Sequence, residues 1–442
     1  MKARACGLIA KKSGVDMLKP RLRYTLAITA AVPGIAASAA TLTVNTDGSA
    51  DYQHIQDAVD AAVDGDIIEI VDGTTYTDTD GDGWVVDLPS HMGLTFKPDV
   101  EDGMIQIDGE GSAGGIELRF SSISVEGIWF LDCTRDDGGG MYSLASDAEI
   151  VDVTNCIFEN CHATDSTGKG GALYLQGASS SGPIDATVTN CLFSGCSTTE
   201  WGGAIYASDS TLSVDNVEFS ECSAEDGAAI HTRGVSLDIT SSHFIDNEWI
   251  GNSGSIVDLY LGTESADISN CQFSGNKPAS ATLRGQVIRR QYGDLSIDTC
   301  SFTDNVDLHW GCIRLRNLDL TDTASIAGSQ FSSNTTDGTS GTSCIAIDSG
   351  ADLTLASVQM CDHDANTEIS GSYTDGGSPD LGNWCCPGDI DEDGDVDADD
   401  LSACIDGWSL GLGSDDREDV DRNGSVAVMD VLTILSAWGA CP

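Results

Sequence analysis

Two stretches near the C-terminus carry oxygen donors at intervals that could wrap a hard cation. Asp389, Asp391, Asp393, Gly394, Asp397 and Asp400 occupy positions 1, 3, 5, 6, 9 and 12 of an EF-hand-type loop. The phrase recurs thirty residues later as Asp419, Asp421, Asn423, Gly424 and Asp430. Calcium takes six to eight hard oxygens, and glycine at the sixth position allows the sharp turn that gathers them. At position 7, Asp395 and Ser425 offer backbone carbonyls, while Ala427 at position 9 of the second loop leaves that place to water. The clustered carboxylates repel one another without an ion, so Ca2+ is expected to be structural. A third run, Asp78, Asp80, Asp82 and Gly83, starts in the same way but has Pro89 at position 12, and it reads as a solvated acidic turn.

A second set of reactive residues lies further upstream. Arg284, Arg289, Arg290, Arg314 and Arg316 crowd into a short stretch of a chain that has only 20 Lys and Arg against 71 Asp and Glu. Tyr142, Tyr174, Tyr206 and His231 each follow an aliphatic residue in a recurring phrase, which predicts one outward-facing column continuing through Val257, Ile288 and Arg314. The next outward column is expected to hold Gln176, Ser208, Arg233, Arg290 and Arg316. Flat rings could meet sugar C–H faces, and guanidinium forks could meet hydroxyls or carboxylates. This makes Tyr142, Tyr174, Tyr206, His231 and Arg233 candidate ligand contacts. The same columns also admit a purely structural reading, an aromatic ladder with arginines neutralising nearby acids. No nucleophile elbow, H-E-x-x-H, P-loop or C-x-x-C is present, and the seven His are scattered.

The net charge of −51 repels phosphate and excludes nucleic acid as an expected partner. Sixteen Cys point to an oxidising compartment. Lys19, Arg21 and Arg23 precede an apolar run from Tyr24 to Val32, and Ala37, Ser38 and Ala39 form an A-x-A cleavage pattern. Residues 1–39 therefore read as a secretory signal, with Met1 or Met17 as the start, and the protein as secreted. No later apolar run is long enough to span a bilayer.

What must position these side chains is a repeat. Phe130, Phe158, Phe193, Phe219, Phe244, Phe273, Phe302 and Phe331, followed by Met360, stand 28, 35, 26, 25, 29, 29, 29 and 29 residues apart. Three residues after each Phe comes Cys133, Cys161, Cys196, Cys222, Asn247, Asn276, Asn305 or Asn334. Such a period, with short alternating strands and no helical stripe, predicts an all-β solenoid, a parallel β-helix whose coils stack like residues into columns. Phe should line the core, and Asn should pair amides from coil to coil. Ile55, Val59 and Ala62 share a helical face that could cap the open end before a strand over 67–71.

The phrase from Tyr52 through Ile55, Ala58 and Val59 to Gly65, Ile67, Ile68 and Tyr76 resembles the entry of pectin-lyase-like right-handed β-helix proteins. The Phe-x-x-Asn and Gly-Gly-Ala-Ile phrases are similar to the repeats of polymorphic outer-membrane proteins. This resemblance implies a right-handed parallel β-helix that hosts lyases, hydrolases, esterases or non-catalytic adhesins. A lyase of this fold uses Arg or Lys as base, which makes Arg290, Arg314 and Arg316 the candidates for catalysis. The paired acidic loops resemble a type I dockerin and imply a cohesin-like partner in a polysaccharide-degrading setting. Dockerins recognise that partner through positions 10 and 11, often a Ser/Thr pair; here they are Ala398 with Asp399 and Val428 with Met429.

The expected organisation is a signal over 1–39, the β-helix over 40–368, a linker over 369–384 and a small helical calcium-loop module over 385–442. The favoured function is non-catalytic attachment to polysaccharide or cell-surface material. A β-helix polysaccharide lyase or glycoside hydrolase, and a structural scaffold, are the alternatives. Columns place Cys133 beside Cys161, Cys196 beside Cys222, Cys156 beside Cys191, Cys271 beside Cys300 and Cys312 beside Cys344 for disulfides, with stacked free thiols as the competing arrangement. Cys386 and Cys441 could clasp the terminal module.

Overall fold

Short segments of alternating apolar and polar residues recur along the chain, and each becomes a strand with its apolar side inward. Ile184–Thr189 is representative: Ile184, Ala186 and Val188 are buried, and the residues between them face out. The computed structural model describes residues 39–440 apart from 72, 146–147, 179–181, 261, 263–264, 317–321, 339–341, 349–351, 362–366, 378–387, 391–394, 411–417, 419 and 421–424. The expected signal segment thus lies outside the described residues, save Ala39.

Up to four segments per coil sort into three parallel sheets of 22, 11 and 6 strands, giving a right-handed β-solenoid of about ten turns. The largest sheet forms two walls, which the eleven-residue strands Ile205–Asp215 and Ile230–Thr240 join without a break. Helix α1, Ile55–Ala61, buries Ile55, Ala58 and Val59 against the first coil and covers its apolar end. The last paired strands are Thr367–Ser370 and Thr374–Gly377, so strand pairing continues past residue 368 into the stretch expected as linker.

Like residues do stack. The eight Phe rings lie in register, each fully buried and 4.5–5.0 Å from the next, and Met360 extends the column. At the corner after this sheet the Asn side chains form a ladder. Asn276 Nδ2 donates to Phe244 O (2.9 Å) and to Asn305 Oδ1 (2.9 Å), and Asn247 and Asn305 repeat the pattern. Earlier coils put Cys in this place: the thiols of Cys161, Cys196 and Cys222 reach Phe130 O, Phe158 O and Phe193 O at 3.4–3.6 Å. Other corners need left-handed backbone, and Asp132, Asn155, Asn160, Asn190 and Asn216 supply it at φ between +48° and +54°.

The disulfides expected between neighbouring coils are not formed. The columns are as expected, but every cysteine whose side chain is described is a buried free thiol. In-register parallel neighbours hold Cβ atoms about one strand spacing apart, about 4.8 Å, whereas a disulfide needs about 3.8 Å. Cys385, Cys386 and Cys441 lie outside the described residues, so the expected clasp does too.

The terminal module has its own small core of Ile390, Val396, Cys404, Val420, Val426 and Ile434. Helices α2, Ala398–Leu410, and α3, Val428–Ser436, pack together, and Asp395–Val396 pairs antiparallel with Gly439–Ala440. Among the described residues no helix is long and apolar enough to cross a membrane.

Candidate functional site

The aromatic column exists, and it is covered. Tyr142, Tyr174, Tyr206 and His231 are register partners with centroids 4.9, 5.3 and 5.6 Å apart. Tyr174 is 6% exposed, Tyr206 3% and His231 1%. Gly170, Gly202 and Gly227, at φ +63° to +73°, turn the preceding loops over the stack, and a Cβ on Gly202 would sit 2.4 Å from Ile205 O. Trp201 then lies flat against His231 at 5.2 Å, with the Lys169 ammonium 4.8 Å from its ring centre. Neighbouring rings occupy one another's faces. Burial pushes all three Tyr hydroxyls above their usual range. Arg233 is exposed beside this stack, in register with Ser208 and Tyr260.

Below His231 the register departs from expectation by one residue. The column continues through Asp258, Arg289 and Arg314, while Val257 and Ile288 stack inward under Ile230. The cause lies in the turn phrase: Ala229 N donates to Ile256 O, which sets Ile256 opposite Ala229 and Val257 opposite Ile230. A bulky Ile256 thus fills the small-residue place, and the next aliphatic residue takes the inward position.

The shift assembles a buried charge network that sequence columns alone did not show. Arg289 Nε and Nη2 donate to Asp258 at 2.8 and 2.6 Å, Nη2 also lies 2.9 Å from Asp226 Oδ2, and Nη1 donates to Ser253 O at 2.7 Å. His231 Nδ1 sits 2.9 Å from Asp258 Oδ2, off the axis of a hydrogen bond. Asp258 is held well below the usual carboxylate range by Arg289 and His231, against the burial that opposes it. Asp226 is pushed up to about 6, first by burial and then by the Asp258 charge.

Arg290, Arg314 and Arg316, expected at the surface, are engaged. Arg290 is inward, fully buried among the core columns, with Nε donating to Gly293 O and Nη2 3.7 Å from Asp322. Its expected outward place belongs to a register that Ile256 displaced. Arg314 lies over Trp310 at 3.8 Å and donates to Asp348 Oδ2 at 3.3 Å, and Arg316 Nε is 3.4 Å from the same carboxylate.

Open space lies on another face. A groove of about 750 Å³ runs across the coils beside the six-stranded sheet. Thr134, His162, Ser197 and Ser223 are register partners along its floor, and His162 Nδ1 lies 2.8 Å from Ser197 Oγ. The left-handed corner residues Asp132 and Asn160 line it too, together with Glu110. Its lining comes from six successive coils, five steps of about 4.8 Å each, or roughly 24 Å along the solenoid. These positions follow directly after the Cys/Asn column, a signal present in the sequence but masked by varied side-chain chemistry.

In the terminal module the described part of the acidic loops fits a hard cation. Asp400 and Asp430, both at position 12, are fully buried carboxylates. Asp400 accepts from Ile390 N and Asp397 N at 2.5 and 2.8 Å, and Asp430 accepts from Ala427 N at 2.7 Å. Backbone donors thus hold these two carboxylates in place. Asp389, Asp397 and Ser425 are also described. Asp391, Asp393, Asp419, Asp421 and Asn423, and the side chain of Asp395, lie outside the described residues. Trp408 on α2 is 46% exposed and Trp438, just after α3, 50%, and Ile405, Leu432 and Leu435 are exposed as well, while Leu401 and Val431 pack on the module's core. Upstream, Asp78, Asp80 and Asp82 bring one carboxylate oxygen each to within 4.8 Å of the others. Their loop is closed by bonds from Gly81 N and Gly83 N to Asp78.

No curated protein matches this chain. A solved mannuronic-acid-specific polysaccharide family 6 lyase from the human gut microbiota is similar at 11% identity, over 77% of this chain and 92% of that one, with a TM-score of 0.25. The model of the right-handed β-helix region matches residues 103–286, the part of the chain that builds the groove and the aromatic stack.

Proposed function

We propose that this chain is a secreted, non-catalytic polysaccharide-binding solenoid that carries a calcium-stabilised, dockerin-like module for attachment to a protein partner. The observation that supports binding is the groove, where Thr134, His162, Ser197 and Ser223 repeat polar groups at the spacing of the coils. A pyranose advances by a similar distance in an extended β-linked chain, so about five units fit the roughly 24 Å length. Hydroxyl and imidazole groups donate to and accept from sugar hydroxyls, and such sparse polar contacts fix orientation in a shallow site. The lyase reading is less favoured, because Arg290, Arg314 and Arg316 are buried or ion-paired. Secretion rests on the basic and apolar pattern before Ala40. The exposed tryptophans of the terminal module supply an apolar docking face, and Asp400 and Asp430 support Ca2+ as its folding ligand.

Titration calorimetry of the full chain in calcium against soluble β-linked glycans tests the reading. The His162→Ala/Ser197→Ala pair removes two polar contacts and should weaken binding about tenfold, with circular dichroism unchanged. Absence of binding to every glycan, binding indifferent to the pair, or release of unsaturated products would each overturn it.

A further inference from the structure

The groove also has a charge character, and its consequence rests on the polysaccharide-binding reading. Its ionisable lining consists of Glu110, Asp132 and His162, with no Lys or Arg among the lining residues. Neither the Glu110 nor the Asp132 carboxylate makes a hydrogen bond or ion pair with a described residue. Further along the same sheet, beyond the groove, Glu248 is paired with Lys277 at 3.4 Å. The corner column that holds Asp132 and Asn160 continues through Gly195, Glu221 and Asp246, each bonded by its backbone N–H to the next coil. Within the groove the carboxylates are those of Glu110 and Asp132, on adjacent coils, and the place after Asp132 in this column is taken by the neutral Asn160.

From this arrangement we propose that the groove selects a cationic glycan, an extended polymer of β-linked amino sugars, over neutral and uronic-acid polymers. Protonated sugar amines would meet Glu110 and Asp132 along the wall while the ring hydroxyls meet Thr134, His162, Ser197 and Ser223. A uronate in the same place would set carboxylate against carboxylate, with no cation in the lining to bridge them.

The test compares three oligomers of five units on the full chain in calcium near pH 6: β-1,4-linked glucosamine, its N-acetylated counterpart and an oligogalacturonate. One-to-one binding of the glucosamine oligomer should be at least about tenfold tighter than that of the acetylated one and should lose most of this margin in high salt. A chain of charge −51 attracts any polycation, so the site is distinguished by substitution. Glu110→Gln with Asp132→Asn should collapse the ratio, whereas Asp238→Asn with Asp267→Asn, which removes the same charge from exposed positions on another face, should leave it intact. Equal affinity for the two glucosamine forms, tighter galacturonate binding, or equal effects of both variant pairs overturns the selectivity while leaving glycan binding standing. No binding of any oligomer overturns both.

Discussion

Replacing Asn276 by Ala should be among the most damaging single changes in the solenoid. Its side chain donates to Phe244 O and Asn305 Oδ1, and its Oδ1 accepts from Asn247 N (3.0 Å) and Asn247 Nδ2 (3.1 Å). Truncation leaves the Asn247 N–H, one Asn247 amide hydrogen and the Phe244 carbonyl without these partners, and every Asn in the column is fully buried. Asn305 Oδ1 keeps the bond from Asn276 N, so it does not count as orphaned. Three stranded groups at about 1–3 kcal/mol each would cost about 3–9 kcal/mol, with relaxation favouring the lower half. The molecule supplies its own control, because Cys222 occupies the same column and its thiol meets Phe193 O. Asn276→Cys should therefore recover the contact to Phe244 O but accept poorly from Asn247, and it should cost about 1–2 kcal/mol less than Asn276→Ala. Urea denaturation gives the totals, and amide exchange should place the loss in the coils holding Asn247 and Asn305. A cost below about 1 kcal/mol for Asn276→Ala, or no difference between Ala and Cys, would refute the ladder as a source of stability.

Other outcomes follow from the same geometry. Asp226 has its carboxyl raised from 3.8 to about 6, so its contribution to stability is fully present below the ordinary aspartate value and is lost as pH rises through about 6; denaturation across this range should show that slope, and Asp226→Asn should flatten it. Asp258 is shifted the other way, so its contribution is lost only as pH falls below the usual carboxylate range, and Asp258→Asn should destabilise most at neutral pH. The stacked cysteines are free, so a reducing agent should leave the melting temperature unchanged, and thiol reagents should label them only after unfolding. Calcium chelation should melt α2 and α3 before the solenoid, and Asp400→Ala should reproduce this in the presence of calcium; a single melting transition insensitive to chelator would argue against a metal-dependent module.

Much of this architecture was legible in the sequence, since columns of identical residues need only the right period. Phe244, Phe273 and Phe302 fall into one line because 29 residues close one coil each time. The Asn ladder follows for the same reason. Register was lost where chemistry varied: with Ile256 in a place held elsewhere by Ala, pattern alone could not say which of Ile256 and Val257 faced in. That one-residue ambiguity moved Arg290 from the surface to the interior and hid the meeting of Asp258 with Arg289. The groove was hidden differently. Thr134, His162, Ser197 and Ser223 share no side-chain type, and only the strand pairing brings them side by side. The depth at which the tyrosines lie was set by loops folding over them, a long-range effect that alternation cannot reveal.

The stacking of equivalents gives the molecule an unusual modularity. A coil's upper and lower surfaces are near copies, so excising one whole 29-residue unit, such as the stretch from Phe273 to Ser301, would bring Phe302 against Phe244 and rejoin matching layers. A deletion of any other length would set unlike layers together. Chain length can therefore grow or shrink in quanta without refashioning the interior, and a site that runs lengthwise over the coils would gain or lose reach by the same increments.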